Sequence, residues 1–220
     1  MSTPYTLIVL CGGQGSRLGG ADKGLLRIDG QQFAQRLINR IAGPMNSSNR
    51  RPAVLISANR HREQYEALGY PVIPDLRSGF QGPLAGIEAC LQCVTDGPVV
   101  IVPADMPDLP ADLACRLLAP LTLQSIVIAH DGEQLQPLCM AMYPQQWHES
   151  LTTWLDHGGR GVHRWLSDKP VLQAHFLDAS EFSNINEKSD LRRVNGQIVQ
   201  IDAQSTLIGY DRRHDHYSCQ

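Results

Sequence analysis

Short apolar runs rich in β-branched residues alternate with segments of helical period along most of the chain. Runs of this kind predict strands that are buried on both faces. They occupy residues 7–10, 53–56, 72–74 and 99–102. Three further strands are predicted at 126–129, 138–143 and 171–176, the first two joined as a hairpin across the turn Asp131-Gly132.

Between the runs, apolar residues recur at three- and four-residue spacing, which predicts helices. These helices fall near residues 33–41, 61–68, 84–94, 113–121 and 147–155. Strands that alternate with helices predict an α/β fold: a Rossmann-like, three-layer, mostly parallel sheet with right-handed crossovers. Ligands of such sheets bind beyond the carboxyl ends of the strands, so the polar residues at those ends are the candidates for a functional site.

The first predicted strand leads directly into a glycine-rich loop that also carries two cations. Its residues are Gly12, Gly13, Gly15, Arg17, Gly19, Gly20 and Lys23. Glycine lets backbone N–H groups approach a ligand closely, and successive inward N–H groups bind anions. A flexible surface loop is the alternative interpretation. Flexibility alone does not require cationic side chains such as Arg17 and Lys23, so the pattern favours a phosphate site.

Two common phosphate-binding motifs do not fit this loop. The dinucleotide motif G-x-G-x-x-G, started at Gly13, requires glycine where the chain has Leu18. The nucleotide-hydrolase motif fails as well, since Lys23 is followed by Gly24 and not by serine or threonine. What remains is a strand followed by GG-x-G-x-R-x-G and then by D-K.

This remaining pattern resembles the nucleotidyltransferase signature, and its form CGGQGSRLGGADKGL resembles the molybdenum cofactor guanylyltransferase family. Cys11 and Leu18 replace the alanine and methionine that are usual in that family. The resemblance implies a nucleotidyltransferase fold and domain at residues 1–195, followed by an unassigned tail at 196–220. It also implies catalytic roles for Arg17 and Lys23, and nucleotide contacts from Leu10, Cys11, Gly12, Gly13, Gly15 and Lys23.

Asp105 lies in the turn PADMP that ends the fourth predicted strand. Aspartate is common in turns for structural reasons alone. However, triphosphate chemistry requires a magnesium ligand, and a carboxylate at a strand end that faces a phosphate loop supplies one. In the family, the aspartate at the position of Asp105 binds Mg²⁺. The resemblance therefore implies that Asp105 is both the metal ligand and a catalytic residue.

Further substrate contacts are implied by the same resemblance. They are Ser57, Asp75, Gly82, Pro83, Leu84, Asn184 and Asn186. Ser57 stands where the family often has asparagine, and the segment at 82–86 resembles the lining of the base pocket, although it also suits a helix that starts with proline. Asn184 and Asn186 resemble an N-x-N motif that faces the metal and the pterin substrate. Turn or cap asparagines are the alternative for this pair.

The activity implied is transfer of GMP from GTP to Mo-molybdopterin, which gives the guanine dinucleotide cofactor and pyrophosphate. Other proteins of molybdenum cofactor biosynthesis or molybdoenzyme maturation are implied as partners. Two alternatives remain open at this point: a cytidylyl or sugar-phosphate nucleotidyltransferase on the same scaffold, and a non-catalytic nucleotide-binding adaptor.

The composition of the chain argues against several other classes of protein. The 220 residues carry a formal net charge of −3, which argues against a nucleic-acid partner or a polybasic membrane surface. No apolar run approaches the roughly 20 residues of a transmembrane helix.

The cysteines lie mostly in apolar segments, and Cys90 and Cys93 are better explained by helix packing than by a redox or zinc pair. A cytoplasmic protein is expected. The tail residues His214, Asp215, His216 and Cys219 suit a polar terminus better than a metal site.

Overall fold

A computed structural model of the chain describes residues 4–12, 22–43 and 51–185. Its strands are β1 (Thr6–Leu10), β2 (Arg27–Ile28), β3 (Gln31–Gln32), β4 (Ala53–Ser57), β5 (Val72–Ile73), β6 (Val99–Pro103), β7 (Ile126–His130), β8 (Leu135–Met142) and β9 (Val171–His175). Seven of them form one sheet in the order β5-β4-β1-β6-β8-β7-β9. Only β8 runs antiparallel to its neighbours, which confirms the predicted mostly parallel sheet.

The helices are α1 (Phe33–Ala42), α2 (Arg62–Glu66), α3 (Pro83–Gln92), α4 (Leu113–Leu118), α5 (Pro144–Asp156) and α6 (Val162–Leu166). Two buried clusters place α1 and α4 on one face of the sheet, and α3, α5 and α6 on the other. The central strand β1 contributes alternate residues to each cluster, which is why all five of its residues are buried. The three-layer prediction is therefore confirmed.

The order of the strands creates a switch point beside β1. From β1 the chain moves outward to β4 and β5, and then returns to the other side of β1 to form β6. Helices α1 and α3, which precede β4 and β6, lie on opposite faces of the sheet. A crevice at the carboxyl ends of the strands is the usual ligand site where the strand order reverses in this way.

Two turns match their sequence signals, whereas one helix was not predicted. The small hairpin β2–β3 turns at Asp29 and Gly30, both with positive φ, as a two-residue hairpin turn requires. Strands β7 and β8 form the predicted larger hairpin, although β8 begins at Leu135, earlier than the pattern indicates. The missed helix is α6, whose five residues are too few to show a clear helical period.

The predicted domain boundary at residue 195 lies outside the described residues. Within the described ranges, the helices are too short or too polar to cross a bilayer.

Candidate functional site

The carboxyl ends of β1, β4, β5 and β6 are aligned at one edge of the sheet. In the strand register, Leu10 lies opposite Ser57 on one side and Pro103 on the other. Beyond the strands, the Cys11 amide donates to the Ser57 carbonyl at 2.8 Å, and the Ala104 amide donates to the Leu10 carbonyl at 3.0 Å. The start of the glycine loop therefore lies between the predicted contacts Ser57 and Asp75 on one side and Asp105 on the other.

Lys23 and Asp105 form an ion pair at this edge. The Lys23 ammonium lies 3.1 Å from Oδ2 of Asp105, across 82 positions of sequence. Lys23 is the first residue of a short 3-10 turn, Lys23–Leu25, and Asp105 follows β6. Both side chains are about a quarter exposed, at 25% and 26%. A solvent-accessible pair contributes little to stability, so its two charges remain available to an incoming anion and cation. We call this pair the charged rim.

A cavity of about 310 Å³ opens at the same edge of the sheet, on the β4–β5 side of β1. Its lining comes from the ends of β1, β4 and β5, from the loop before α3, and from the first turn of α3; the residues are Leu10, Gly12, Ser57, Asn59, Asp75, Phe80, Gly82, Pro83 and Gly86. The volume is in the range of small-molecule sites. An apolar wall with a few polar groups suits a flat heterocycle that needs both stacking and hydrogen bonds.

Asp75 is the carboxylate of this cavity. Its backbone amide donates to Oδ1 of Asn59 at 2.8 Å, which holds the segment after β5 against the segment after β4. Burial raises the pKa of the Asp75 carboxyl above its ordinary value, and the charge of Glu88 adds to this shift, whereas hydrogen bonding between the Asn59 side chain and the carboxyl opposes it. A desolvated acceptor of this kind is suited to the N–H donors of a ligand.

The backbone of α3 forms the floor of the cavity. A methyl group added at Gly86 would lie 2.2 Å from Oγ of Ser57 and 3.4 Å from Oδ1 of Asp75. Only glycine therefore lets α3 approach these two side chains so closely. At the start of the same helix, Gly82 adopts a φ of 83°, a conformation that side chains other than glycine rarely accept.

Two predicted nucleotide contacts have side chains that point into the core. Leu84 is fully buried among the residues packed against α3 and α5. Cys11 is buried on the opposite face of the sheet, where burial raises the pKa of its thiol well above the ordinary value. Any ligand contact from either residue would be made by its backbone.

The predicted contact Asn184 is brought to the charged rim from the far end of the chain. The amide of its neighbour Ile185 donates to the Asp105 carbonyl at 3.0 Å. Ile185 is buried, whereas Asn184 is exposed. The predicted residues Gly13, Gly15, Arg17 and Asn186 lie outside the described residues.

Sequence reasoning did not identify Phe80. This residue is 57% exposed although it lines the cavity. The only signal was its position in a glycine-containing loop between β5 and α3, where an exposed aromatic side chain has no role in the core.

Of the two cysteines at the end of α3, Cys90 fits the packing interpretation and Cys93 does not. Cys90 is buried, and burial raises the pKa of its thiol to about 12. Cys93 is exposed, and its thiol donates to the carbonyl of Ala89. Across the described parts of the chain, no three metal-binding side chains of His, Cys, Asp or Glu are grouped closely enough to hold an ion.

Comparison with known proteins agrees with this geometry. The family model described as "MobA-like NTP transferase domain" matches residues 7–173. A molybdenum cofactor guanylyltransferase of Shewanella frigidimarina is 35% identical over 203 residues, which is 91% of this chain and all of that protein. The protein of the same name from Cupriavidus metallidurans is 37% identical over 193 residues, covering 84% of this chain and 92% of its own length.

Solved structures share the fold. Molybdopterin-guanine dinucleotide biosynthesis protein A of Archaeoglobus fulgidus superimposes with a TM-score of 0.66 at 22% identity, covering 86% of this chain and 96% of that one. A 4-diphosphocytidyl-2C-methyl-D-erythritol synthase of Anaerococcus prevotii reaches 0.68 at 9% identity, over 88% and 95% of the two chains. The family model and the full-length relatives confirm the resemblance that the glycine loop indicated: the chain belongs to the MobA-like NTP transferases, among the molybdenum cofactor guanylyltransferases.

Proposed function

We propose that this protein transfers GMP from GTP to Mo-molybdopterin, with release of pyrophosphate. The observation that supports the proposal is that a lysine–carboxylate rim and a cavity of nucleoside size lie at the same carboxyl edge of the sheet, on either side of β1 at the switch point. The full-length relatives named as guanylyltransferases support the choice of substrates.

In this proposal the guanosine lies in the cavity and the triphosphate crosses the start of the glycine loop towards Lys23. The Asp75 carboxylate is suited to accept from the N–H groups of the base, and Phe80 and Pro83 offer apolar contact with its faces. The lysine ammonium, together with the predicted Arg17, would stabilise the negative charge that develops as pyrophosphate leaves.

The transfer itself is an exchange of phosphoanhydride bonds. An oxygen of the acceptor's terminal phosphate attacks the α-phosphorus of GTP, the bond to the bridging oxygen breaks, and pyrophosphate leaves with that electron pair. A phosphate monoester has a second pKa of about 6 and is largely ionised at neutral pH. The protein therefore needs no general base, and its residues act mainly by positioning two anions and by stabilising charge.

Asp105 is the member of the charged rim that fits a magnesium ion. Asp105 offers a carboxylate at a strand end, and Mg²⁺ is commonly held by one or two carboxylates while water and substrate phosphates complete its octahedron. When bound, the ion supplies charge neutralisation at the phosphate oxygens.

The acceptor would bind on the other side of the charged rim. The hydrogen bond from the Ile185 amide to the Asp105 carbonyl supports this assignment for the adjacent Asn184, and the assignment extends to the predicted Asn186. Neutral amides can orient an anionic substrate without adding charge. We also infer a cytoplasmic protein, because its described cysteines are free thiols, and other molybdenum cofactor proteins as partners that deliver or receive the cofactor.

The test is pyrophosphate release with GTP, CTP, ATP and UTP, each with and without Mo-molybdopterin. We expect release with GTP that depends on both the acceptor and Mg²⁺. Preference for CTP would reassign the base, and acceptor-dependent release with a sugar phosphate would reassign the second substrate. Nucleotide binding without any release would leave a non-catalytic adaptor.

A further inference from the structure

Asp22, the residue before Lys23, is a buried carboxylate that lies outside the lining of the cavity. It is only 8% exposed. Its Oδ1 accepts a hydrogen bond of 2.5 Å from the Tyr65 hydroxyl and one of 3.3 Å from the Gly24 amide. Tyr65 itself is fully buried on α2, 43 positions away in the sequence.

Asp22 also fixes the local backbone from which Lys23 projects. Its side chain caps the 3-10 turn Lys23–Leu25, and its carbonyl accepts from the Leu25 amide at 3.1 Å. Leu25 is buried in the core, which anchors the far end of the turn. The turn is thus held at both ends, and Lys23 is the residue of the turn that reaches Asp105.

The packing around this contact leaves no room for a side chain at Gly24. A methyl group at Gly24 would lie 2.5 Å from the Tyr65 hydroxyl oxygen and 3.2 Å from the Cys11 sulfur. Glycine is therefore required at position 24, because the Tyr65 hydroxyl approaches the turn so closely. In the D-K-G sequence, the aspartate caps the turn and the glycine makes room for Tyr65.

A simple capping role does not require this burial. An exposed aspartate caps a turn equally well, whereas a buried carboxylate is costly unless hydrogen bonds compensate it. Burial raises the pKa of Asp22, and the Tyr65 hydroxyl is the strongest group that opposes this shift. The other titratable or charged groups that face Asp22 are Arg60 and His61 before α2, and Cys11 after β1.

We propose that Tyr65 and Asp22 are positioning residues of the nucleotidyl transfer: the Tyr65 hydroxyl holds the Asp22 carboxylate, and Asp22 holds the turn that directs Lys23 to Asp105. This inference rests on the proposed function for its catalytic consequence, although the positioning itself is independent of it. Neither residue touches the substrates in this scheme.

The test compares Tyr65→Phe with Tyr70→Phe. The control removes a hydroxyl that is buried without a hydrogen-bond partner in the described structure, so both variants lose one oxygen atom. We expect Tyr65→Phe to lower kcat by about 30-fold, as loss of a hydrogen bond to a charged group implies, while KM for GTP changes by less than about threefold. The acid limb of its pH–rate profile should move to higher pH, because the pKa of Asp22 rises further. Tyr70→Phe should change none of these values.

A second readout needs no turnover. The rate at which Lys23 is acetylated by acetic anhydride, measured by mass spectrometry with Lys169 as internal reference, reports how firmly Lys23 is held. We expect this rate to rise several-fold in Tyr65→Phe and to stay constant in Tyr70→Phe. Asp22→Asn should reproduce the fall in kcat and the faster acetylation of Lys23, and it serves in place of Tyr65→Phe if the latter does not fold. Its pH–rate profile is not compared, because asparagine has no carboxyl group to titrate.

The outcomes separate the two proposals. If kcat, the pH profile and Lys23 acetylation are all unchanged in Tyr65→Phe, the positioning role is wrong. Faster acetylation of Lys23 with an unchanged kcat would also overturn it. If the parent protein releases no pyrophosphate with any nucleotide but Lys23 acetylation still responds to Tyr65→Phe, the proposed function fails and the positioning contact stands.

Discussion

At the β1–β6 end of the candidate site, Lys23 and Asp105 meet in contact with solvent, whereas at the β4–β5 end an apolar wall encloses a cavity whose carboxylate is Asp75. The first end relies on charge, and its lysine is held from behind by the buried Asp22. The second end relies on shape, because glycine at position 86 sets how closely α3 approaches the strands.

This difference implies that the two ends serve different steps of the proposed reaction. If the charges at the rim face the phosphates, where negative charge is redistributed during the reaction, their effect should appear mainly in kcat. If the cavity holds the part of the nucleotide that does not react, its effect should appear mainly in KM for GTP.

Lys23→Ala should break the charged rim most severely. We expect kcat to fall by about a thousandfold, because a preorganised charge that faces the leaving group is lost. The fold should persist, since Lys23 belongs to neither of the two buried apolar clusters. Steady-state kinetics with circular dichroism checks both points, and Lys169→Ala, at the opposite edge of the sheet before β9, is the control. A near-parental kcat with unchanged GTP affinity would remove Lys23 from the site.

Asp105→Asn tests the other member of the rim. The amide keeps the shape of the carboxylate but not its charge, so we expect kcat to fall by about a hundredfold and the magnesium requirement to rise. The measurement is a magnesium titration of turnover. Asp108→Asn is the matched control, because Asp108 lies three residues further on and pairs with Arg36. Superimposable titration curves for Asp105→Asn and the parent would place the metal elsewhere.

Gly86→Ala should affect the cavity alone. The added methyl would overlap Oγ of Ser57 and crowd Asp75, so we expect KM for GTP to rise about tenfold with a change in kcat below about threefold. Gly161→Ala is the control, since a methyl group there lies 3.9 Å from its nearest neighbours. A large fall in kcat at unchanged KM would show that the two ends are not separate in function.

Arg77→Met should have the smallest effect on turnover and a measurable one on stability. Arg77 lies in the loop that carries Phe80, and it donates two hydrogen bonds of 2.7 Å to Glu88 on α3, whose side chain is only 4% exposed. Removing it leaves a buried carboxylate without its partner. We expect the melting temperature at pH 7 to fall by about 5 °C, and KM for GTP to rise by about twofold because the cavity wall loosens.

The pH dependence of this loss follows from Glu88. Hydrogen bonding to Arg77 lowers the pKa of Glu88. A carboxyl whose pKa is lowered in the folded state stabilises the protein at pH values above its pKa in the unfolded chain, which is about 4.3 for glutamate. This stabilisation is lost as the pH falls through the pKa of the folded state. The difference in melting temperature between Arg77→Met and the parent should therefore shrink below about pH 4. Arg62→Met, which breaks the exposed pair with Glu66, should show almost no difference at either pH. An equal loss at pH 3.5 and pH 7 would contradict the account.

The fold and the charged rim were largely predictable from the sequence, because both depend on short-range pattern. Strand β1 is a continuous apolar run, and Asp105 directly follows another, so the topology of a parallel sheet brings Asp105 to the glycine loop. The carboxyl-edge rule supplies this proximity without any knowledge of side-chain contacts.

Other features depend on tertiary contacts that no local pattern encodes. The period of α3 does not reveal that Leu84 turns into the core while Gly86 faces Ser57. Tyr65 looks like an ordinary core residue of a short helix, since its hydrogen bond to Asp22 joins segments far apart in the sequence. Phe80 could not be assigned either, because an exposed aromatic residue in a loop has no periodic neighbours.

The most direct test of the division between rim and cavity is a crystal structure with Mg²⁺ and a non-hydrolysable GTP analogue. We predict that the guanine lies in the cavity within about 4 Å of Phe80 or Pro83, with its N–H groups towards Asp75, the triphosphate within hydrogen-bonding distance of Lys23, and the metal on Asp105. Guanine bound outside this cavity, or a triphosphate that contacts Asp75 and not Lys23, would contradict the account.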